Sequence, residues 1–270
     1  MGNTFNAEPT KKFFITMLVR DINLKDAIGD LVDNCIDGAN RLRGGDSNFK
    51  GLYININLNE DAFEIEDNCG GIDINVAREY AFRFGRPDDV KDIKYSIGQF
   101  GIGMKRALFK LGKEFSISSK TITNSFSMSV NVPKWSQEKE WTFTYEDAKI
   151  YEDDPINPSE TGTHLQVTDL NDDIKSAFQD DNFLITLQND LELDQLYNIN
   201  KGLKITFNGV ILKAKSLKIN VSPEFKIGHW ENEYNGVKVK LLVGVGSHSQ
   251  ELGGWYIFCN DRLRVGPDTS

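Results

Sequence analysis

Cysteine is scarce in this chain of 270 residues: Cys35, Cys69 and Cys259 are odd in number and far apart, which excludes a disulfide framework or a zinc knuckle and leaves buried, reduced thiols as the reading. Basic charge is short as well. Against 40 Asp and Glu stand 31 Lys and Arg, a net charge of −9, so a chain-wide basic footprint for nucleic acid is missing, although a local patch is not excluded. No apolar run approaches the roughly 20 residues that span a bilayer. Residues 1–12 are polar and lack the apolar stretch of a signal peptide. The expected location is therefore cytoplasmic. Repeats and low-complexity segments are absent too. What is present, 39% hydrophobic and 26% charged residues, is an ordinary globular composition with length for one large or two modest domains.

The most informative stretch is residues 24–39. Leu24, Ala27, Ile28, Leu31, Val32, Cys35, Ile36 and Ala39 recur at three-and-four spacing, which predicts a helix with one apolar stripe, and Asn23 stands where a cap is needed. Its other face carries Asp26, Asp30, Asp33, Asn34 and Asp37. Carboxylates this close repel one another. The face is either a solvated acidic surface or a cation site in which Asn and Asp oxygens meet Mg²⁺.

An apolar run at 13–19 precedes this helix, and Gly44 and Gly45 end it. Alternation at Ile54, Ile56 and Leu58, a turn at 59–61 and a second run at 63–66 predict a β-hairpin. The second strand leads into Asp67-Asn68-Cys69-Gly70-Gly71, where two glycines permit a tight turn or a close approach to a ligand. Residues 73–82 read as a helix capped by Asp73. Residues 83–96 read as a mobile loop, which runs into Gly98-Gln99-Phe100-Gly101-Ile102-Gly103-Met104-Lys105. Three glycines opening a helix present free N–H groups and a positive dipole end, which suits phosphate, and Lys105 adds a cation. The order matches neither the dinucleotide G-x-G-x-x-G nor the P-loop pattern.

From residue 114 the pattern turns to strand. Phe115 and Ile117, then Phe126, Met128, Val130 and Val132, then Trp141, Phe143 and Tyr145 alternate in three runs, and residues 162–167 add another. Residues 172–199 read as a polar helical connector, placing a domain boundary near 170. Strands follow at 203–207, 210–212, 237–245 and 255–259. The expected fold class is α+β: a layered α/β domain, then a smaller, mostly β unit.

Together the helix with Asp30 and Asn34, the turn from Asp67 to Gly71, the loop from Gly98 to Gly103 and the pair Gly162-Thr163 resemble, in order, the four motifs of the GHKL ATPases. That superfamily includes DNA gyrase, the ninety-kilodalton heat-shock chaperone, histidine kinases and MutL. Residues 97–103 look most like the chaperone and the MORC ATPases, and residues 14–22 and 254–260 resemble prokaryotic MORC-type relatives. The resemblance implies a Bergerat-type ATP-binding sandwich over 1–170, with a lid at about 83–100, and a transducer-like domain over 171–270. It implies ATP and Mg²⁺ as ligands and an ATP-dependent homodimer working as a clamp. A DNA or protein client is implied by resemblance only.

Carried over by position, Asn34 would bind Mg²⁺ and Asp30 would orient the attacking water. Asp67 would accept from the adenine amino group with support from Thr163 and Gly71. Gly98, Gln99, Phe100, Gly101, Ile102, Gly103 and Lys105 would surround the phosphates. Two positions depart from the pattern. Asp30 stands where the family has Glu, one methylene or about 1.5 Å shorter, and Cys69 replaces the first glycine of the adenine turn. A module that binds ATP without useful hydrolysis is the alternative. A histidine kinase fits poorly, since His164, His229 and His248 fall in strand or loop contexts. Among possible γ-phosphate contacts, Lys201, Lys204, Lys213 and Lys215 are not distinguished, and Arg262 and Arg264 read as local surface charges.

Overall fold

The computed structural model describes residues 7–45, 48–85, 102–151, 155–215, 219–246 and 253–269. The apolar run at 13–19 is helical, forming α1 (Lys11–Arg20) with Thr10 capping Phe13 N–H. Helix α2 (Leu24–Arg43) starts where Asn23 accepts from Asp26 N–H at 2.8 Å and ends at Gly44, whose φ of 58° lies in the left-handed region that glycine adopts most readily. Its stripe from Ala27 to Ala39 is buried throughout.

Strands β1 (Tyr53–Leu58) and β2 (Phe63–Asp67) form the expected antiparallel hairpin, with Leu58 opposite Phe63. The next helix divides into a short α3 (Ile74–Val76), capped by Asp73, and a π-turn over Ala77–Ala81. Helix α4 (Gly103–Leu111) leads directly into β3 (Gly112–Lys120), which pairs with β4 (Asn124–Asn131).

The third aromatic run is not a strand. Val132, expected in the second run, opens α5 (Val132–Gln137), and residues 138–146 are irregular before β5 (Asp147–Ile150). The rings form a cluster instead: Trp141 meets Phe14 at 5.2 Å and Phe84 at 5.9 Å, and Phe143 meets Trp135 at 5.1 Å. Of the segment 83–96, expected to be a mobile loop, only residues 83–85 are described, and Phe84 among them packs against the core with its ring 5.0 Å from Phe14 on α1.

After β6 (Gly162–Leu170), helices α6 (Asp172–Phe178), α7 (Asp181–Asp194) and α8 (Leu196–Asn200) return the chain to β1. There β7 (Lys204–Phe207) pairs in parallel with β1 and turns into β8 (Val210–Ile211). The result is one eight-stranded mixed sheet in the order β5-β4-β3-β6-β2-β1-β7-β8, built from chain on both sides of residue 170. One face is apolar: Ile54, Ile65, Ile117, Leu165 and Ile205 join the stripe of α2 and Ala107, Leu108 and Leu111 of α4 in one core. Strand alternation leaves Asn55, Glu64, Ser116, Ser118, Ser127 and Gln166 on the other.

A smaller β-rich region follows: β9 (Ile219–Asn220) with β12 (Val245–Gly246), β10 (Gly228–Tyr234) with β11 (Val237–Val243), and β13 (Trp255–Cys259) with β14 (Arg262–Asp268). Among the described residues no helix is long and apolar enough to cross a membrane.

Candidate functional site

Asp30 and Asn34 project from α2 one turn apart, on the side away from its fully buried stripe. The Nδ2 atom of Asn34 is buried with no hydrogen-bond partner among the described residues. Because amide oxygen and nitrogen are interchangeable by a flip, this orphaned group is one that a ligand would satisfy. Asp30 already has a partner: Nε and Nη2 of Arg106 donate to its Oδ2 at 3.0 and 2.8 Å. Arg106 lies in the first turn of α4, its N–H bonded to the Ile102 carbonyl. Gly103 opens the same turn so close to α2 that a Cβ there would lie 3.1 Å from Asp30 Oδ2.

At the end of β2, Asp67 is 7% exposed. Burial raises its carboxyl to about 6, even though Cys69 N–H, the Cys35 thiol and the Thr163 backbone favour its charged form. One oxygen, Oδ1, accepts from Cys69 N–H at 2.7 Å. Thr163 stands opposite Asp67 in the β2–β6 register, and its hydroxyl lies 3.2 Å from that of Ser119, which accepts from Ile72 N–H. Two glycines let the backbone close around this carboxyl. A Cβ on Gly71 (φ 69°) would fall 2.3 Å from the Lys120 carbonyl, and one on Gly162 would fall 1.9 Å from the Asp67 carbonyl. The bulk of Cys69 is accommodated because Gly38 on α2 faces it, its own Cβ position only 2.7 Å from the Cys69 carbonyl.

Lys105 lies differently from the expectation of a phosphate cation. It is 2% exposed, its amine donates to the Ala81 carbonyl at 2.7 Å, and burial lowers its pKa to about 8. Ile102 and Gly103 are at the mouth of α4, while Gly98, Gln99, Phe100 and Gly101 lie outside the described residues, as do residues 86–100 of the expected lid and His248.

One of the two arginines expected at the surface is buried. Arg262 is 7% exposed, paired with Asp33 of α2 and with Asp194 of α7 at 3.3 Å, and Nη1 donates to the Gly29 carbonyl at 3.2 Å. Burial opposes its charge, but Asp33 and Asp194 together outweigh it and raise its pKa. The reading of Arg262 as a surface charge is overturned, since a guanidinium carried on β14 neutralises the inner side of the acidic helix. Arg264, 38% exposed, lies 3.8 Å from the same Asp33. Asp37 is buried as well. Neither Arg106 nor Arg262 stood out in the sequence, because each pairs with an α2 carboxylate far away along the chain.

Among the described residues no group of three or more His, Cys, Asp and Glu side chains is arranged to hold a metal ion. Asn34, whose amide nitrogen has no partner among the described residues, is chemically suited to lend an amide oxygen to a divalent cation such as Mg²⁺.

The family of histidine kinase-, DNA gyrase B- and HSP90-like ATPases matches residues 22–163, more than half of the chain. The protein belongs to this GHKL family. The match takes in α2, the Asp67 turn, the glycine loop and Thr163, so the four motifs fall within one family domain. Among solved structures, the ATPase region of Saccharomyces cerevisiae topoisomerase II bound to ICRF-187 (dexrazoxane) is 16% identical, covering 70% of this chain and 49% of that one at a TM-score of 0.47. The ATPase and transducer domains of Balamuthia mandrillaris DNA topoisomerase II are 15% identical, covering 71% and 48% at 0.48. The chain thus spans about half the length of either structure. No curated protein matches it in sequence.

Proposed function

We propose that this GHKL ATPase binds ATP with Mg²⁺ at Asp30 and Asn34 of α2, Asp67 at the end of β2 and the start of α4, and hydrolyses it slowly. The observation that carries the reading is Asp67, a carboxylate held in a buried place at a cost in free energy, between two glycines that keep the backbone close. The turn uses one of its oxygens, in the bond from Cys69 N–H, and a buried carboxylate so placed suits recognition of an amino donor, of which the adenine amine is one. Asn34 would hold Mg²⁺, which would supply neutralisation of charge at the phosphates. The chain's own groups do the rest. Asp67 accepts from adenine with Thr163 alongside, Gly71 leaves room for the base, and the N–H groups of residues 98–103 surround the phosphates. Asp30 orients the water that attacks the γ-phosphorus.

The wider reading is that ATP orders residues 83–100 over the nucleotide and favours a homodimeric clamp by binding its closed state more tightly. We divide the chain at about residue 170 into an ATP-binding unit and a transducer-like unit, place it nearest MORC-type relatives, and assign it to the cytoplasm. A DNA client would require a basic groove formed on assembly, given the net charge of −9.

Binding without useful hydrolysis is the second reading, favoured by the ion pair that already occupies Asp30 Oδ2. Calorimetry with ATP and Mg²⁺ and steady-state phosphate release decide between them. Asp30→Asn is expected to retain binding and lose turnover, and equal turnover in both proteins would reject hydrolysis assisted by Asp30. Asn34→Ala sets the background for release.

A further inference from the structure

Arg106 is the charged residue closest to the proposed water-orienting group, and its geometry is specific. Both of its donors fall on one oxygen of Asp30, Nε at 3.0 Å and Nη2 at 2.8 Å. Among the described residues no hydrogen bond reaches the other oxygen, Oδ1. A carboxylate gripped at one oxygen by two donors of a planar guanidinium cannot rotate freely, so Oδ1 is held as an acceptor. The pair is a poor stability device, because the side chains are 34% and 21% exposed and solvent screens such a pair. Its location suits positioning better. Arg106 stands in the turn of α4 that Gly103 opens, and the absent Cβ of Gly103 lets that turn approach the same Oδ2.

Resting on the reading that Asp30 orients the attacking water, we propose that Arg106 is its positioning residue, fixing Oδ2 so that Oδ1 faces the water. A Glu side chain would reach further but with one more rotatable bond. In this chain the shorter Asp is anchored from the facing helix. In the reaction, water attacks the γ-phosphorus and its oxygen forms the new P–O bond. The bond to the β-phosphate oxygen breaks, and ADP departs with the electron pair. The water's hydrogen bond to Oδ1 orients it, and the proton released ends in solvent. Arg106 touches neither water nor phosphate in this scheme and acts through Asp30 alone. Asp33 on the same helix and Arg262 on β14 also act on Asp30 electrostatically and are left in place by the test.

Acting through one residue has a kinetic signature, non-additivity. The experiment uses the full chain with ATP and Mg²⁺, following phosphate release under single-turnover conditions and measuring affinity for a non-hydrolysable ATP analogue. Arg106→Met is expected to slow hydrolysis about tenfold to a hundredfold, as loss of alignment does, with analogue affinity within about threefold of wild type. Arg106→Lys, which keeps the charge and one donor, should recover part of the rate. In an Asp30→Asn background, Arg106→Met should produce no further loss. A further loss of the same size in that background would overturn the proposal, as would faster turnover in Arg106→Met, or a rate loss matched by lost affinity, which would make Arg106 a phosphate ligand. Those outcomes leave Asp30's role standing if Asp30→Asn is itself slow. Wild-type turnover in Asp30→Asn, or none in the native chain, would remove that role and the proposal together.

Discussion

Arg262 and Asp33 form an ion pair whose side chains are only 8% and 5% exposed, joining the last strand of the chain to the helix that carries Asp30 and Asn34. Gln195, fully buried, donates to the other oxygen of Asp33, and Gly29 leaves the space the guanidinium occupies. Removing one member of such a pair strands a buried charge, whereas removing both does not. Arg262→Met should therefore cost about 3–5 kcal/mol in urea denaturation. The double variant Arg262→Met, Asp33→Asn should cost less than the single one. Equal costs would mean that the pair contributes only packing.

How much of this was legible depends on the range of the interaction. The stripe of α2, its Asn23 cap, the β1–β2 hairpin and the Asp67–Gly71 turn follow from residues within a few positions of one another, and periodicity and capping chemistry report them directly. Trp141, Phe143 and Tyr145 alternate as a strand would, yet the rings of Trp141 and Phe143 are claimed by Phe14, Phe84 and Trp135 and that of Tyr145 by Arg78, tertiary contacts that local pattern does not encode. The same holds for β7, whose partner β1 lies across the whole of the first sheet segment, and for Arg106 and Arg262. Asp30 and Asp33, which they reach, both stand on the acidic side of α2, but nothing in a linear sequence tells which distant cation reaches which carboxylate.

Asp67 gives a prediction about pH. In an unfolded chain an aspartate titrates near 3.9, and in the fold Asp67 titrates at about 6. Between these values the folded state holds the extra proton, so stability falls as pH rises from about 4 to about 6 and stays lower above. The shift corresponds to about 3 kcal/mol. Asp67→Asn keeps an oxygen for Cys69 N–H and should gain on wild type by up to that amount between pH 4 and 7.5 in urea denaturation. Its NH₂ would meet the adenine amine donor to donor, so ATP affinity should fall tenfold or more. Unchanged affinity by calorimetry would sink the adenine role.

Lys105 shifts stability in the opposite direction at higher pH. Its amine titrates at about 8 when buried against Ala81, compared with roughly 10.4 in the unfolded chain. The unfolded state binds more protons between those values, so the lysine's unfavourable burial is relieved as pH rises through that window. Wild type should gain on Lys105→Met by up to about 3 kcal/mol between pH 7 and 10. A flat difference across that range, measured by urea denaturation at each pH, would mean that the amine is hydrated and free to move.

Gly71 tests whether the adenine turn is fixed by sterics or only by backbone preference. Gly71 and Gly209 both have positive φ, 69° and 79°, but their surroundings differ. Around Gly209 nothing lies within 4 Å of a would-be Cβ, so Gly209→Ala should cost about 1 kcal/mol, the backbone preference alone. At Gly71 the same Cβ would meet the Lys120 carbonyl at 2.3 Å and the Gly162 carbonyl at 3.0 Å, rigid ladder atoms of β3 and β6. Gly71→Ala should therefore cost clearly more, at least about 2 kcal/mol, because either the turn or the sheet edge must move. Since that edge carries Thr163 opposite Asp67, ATP affinity should fall in Gly71→Ala and be untouched in Gly209→Ala. Paired urea denaturation and calorimetry on the two variants read both effects, and equal costs at the two positions would show that the turn yields without disturbing β3 and β6.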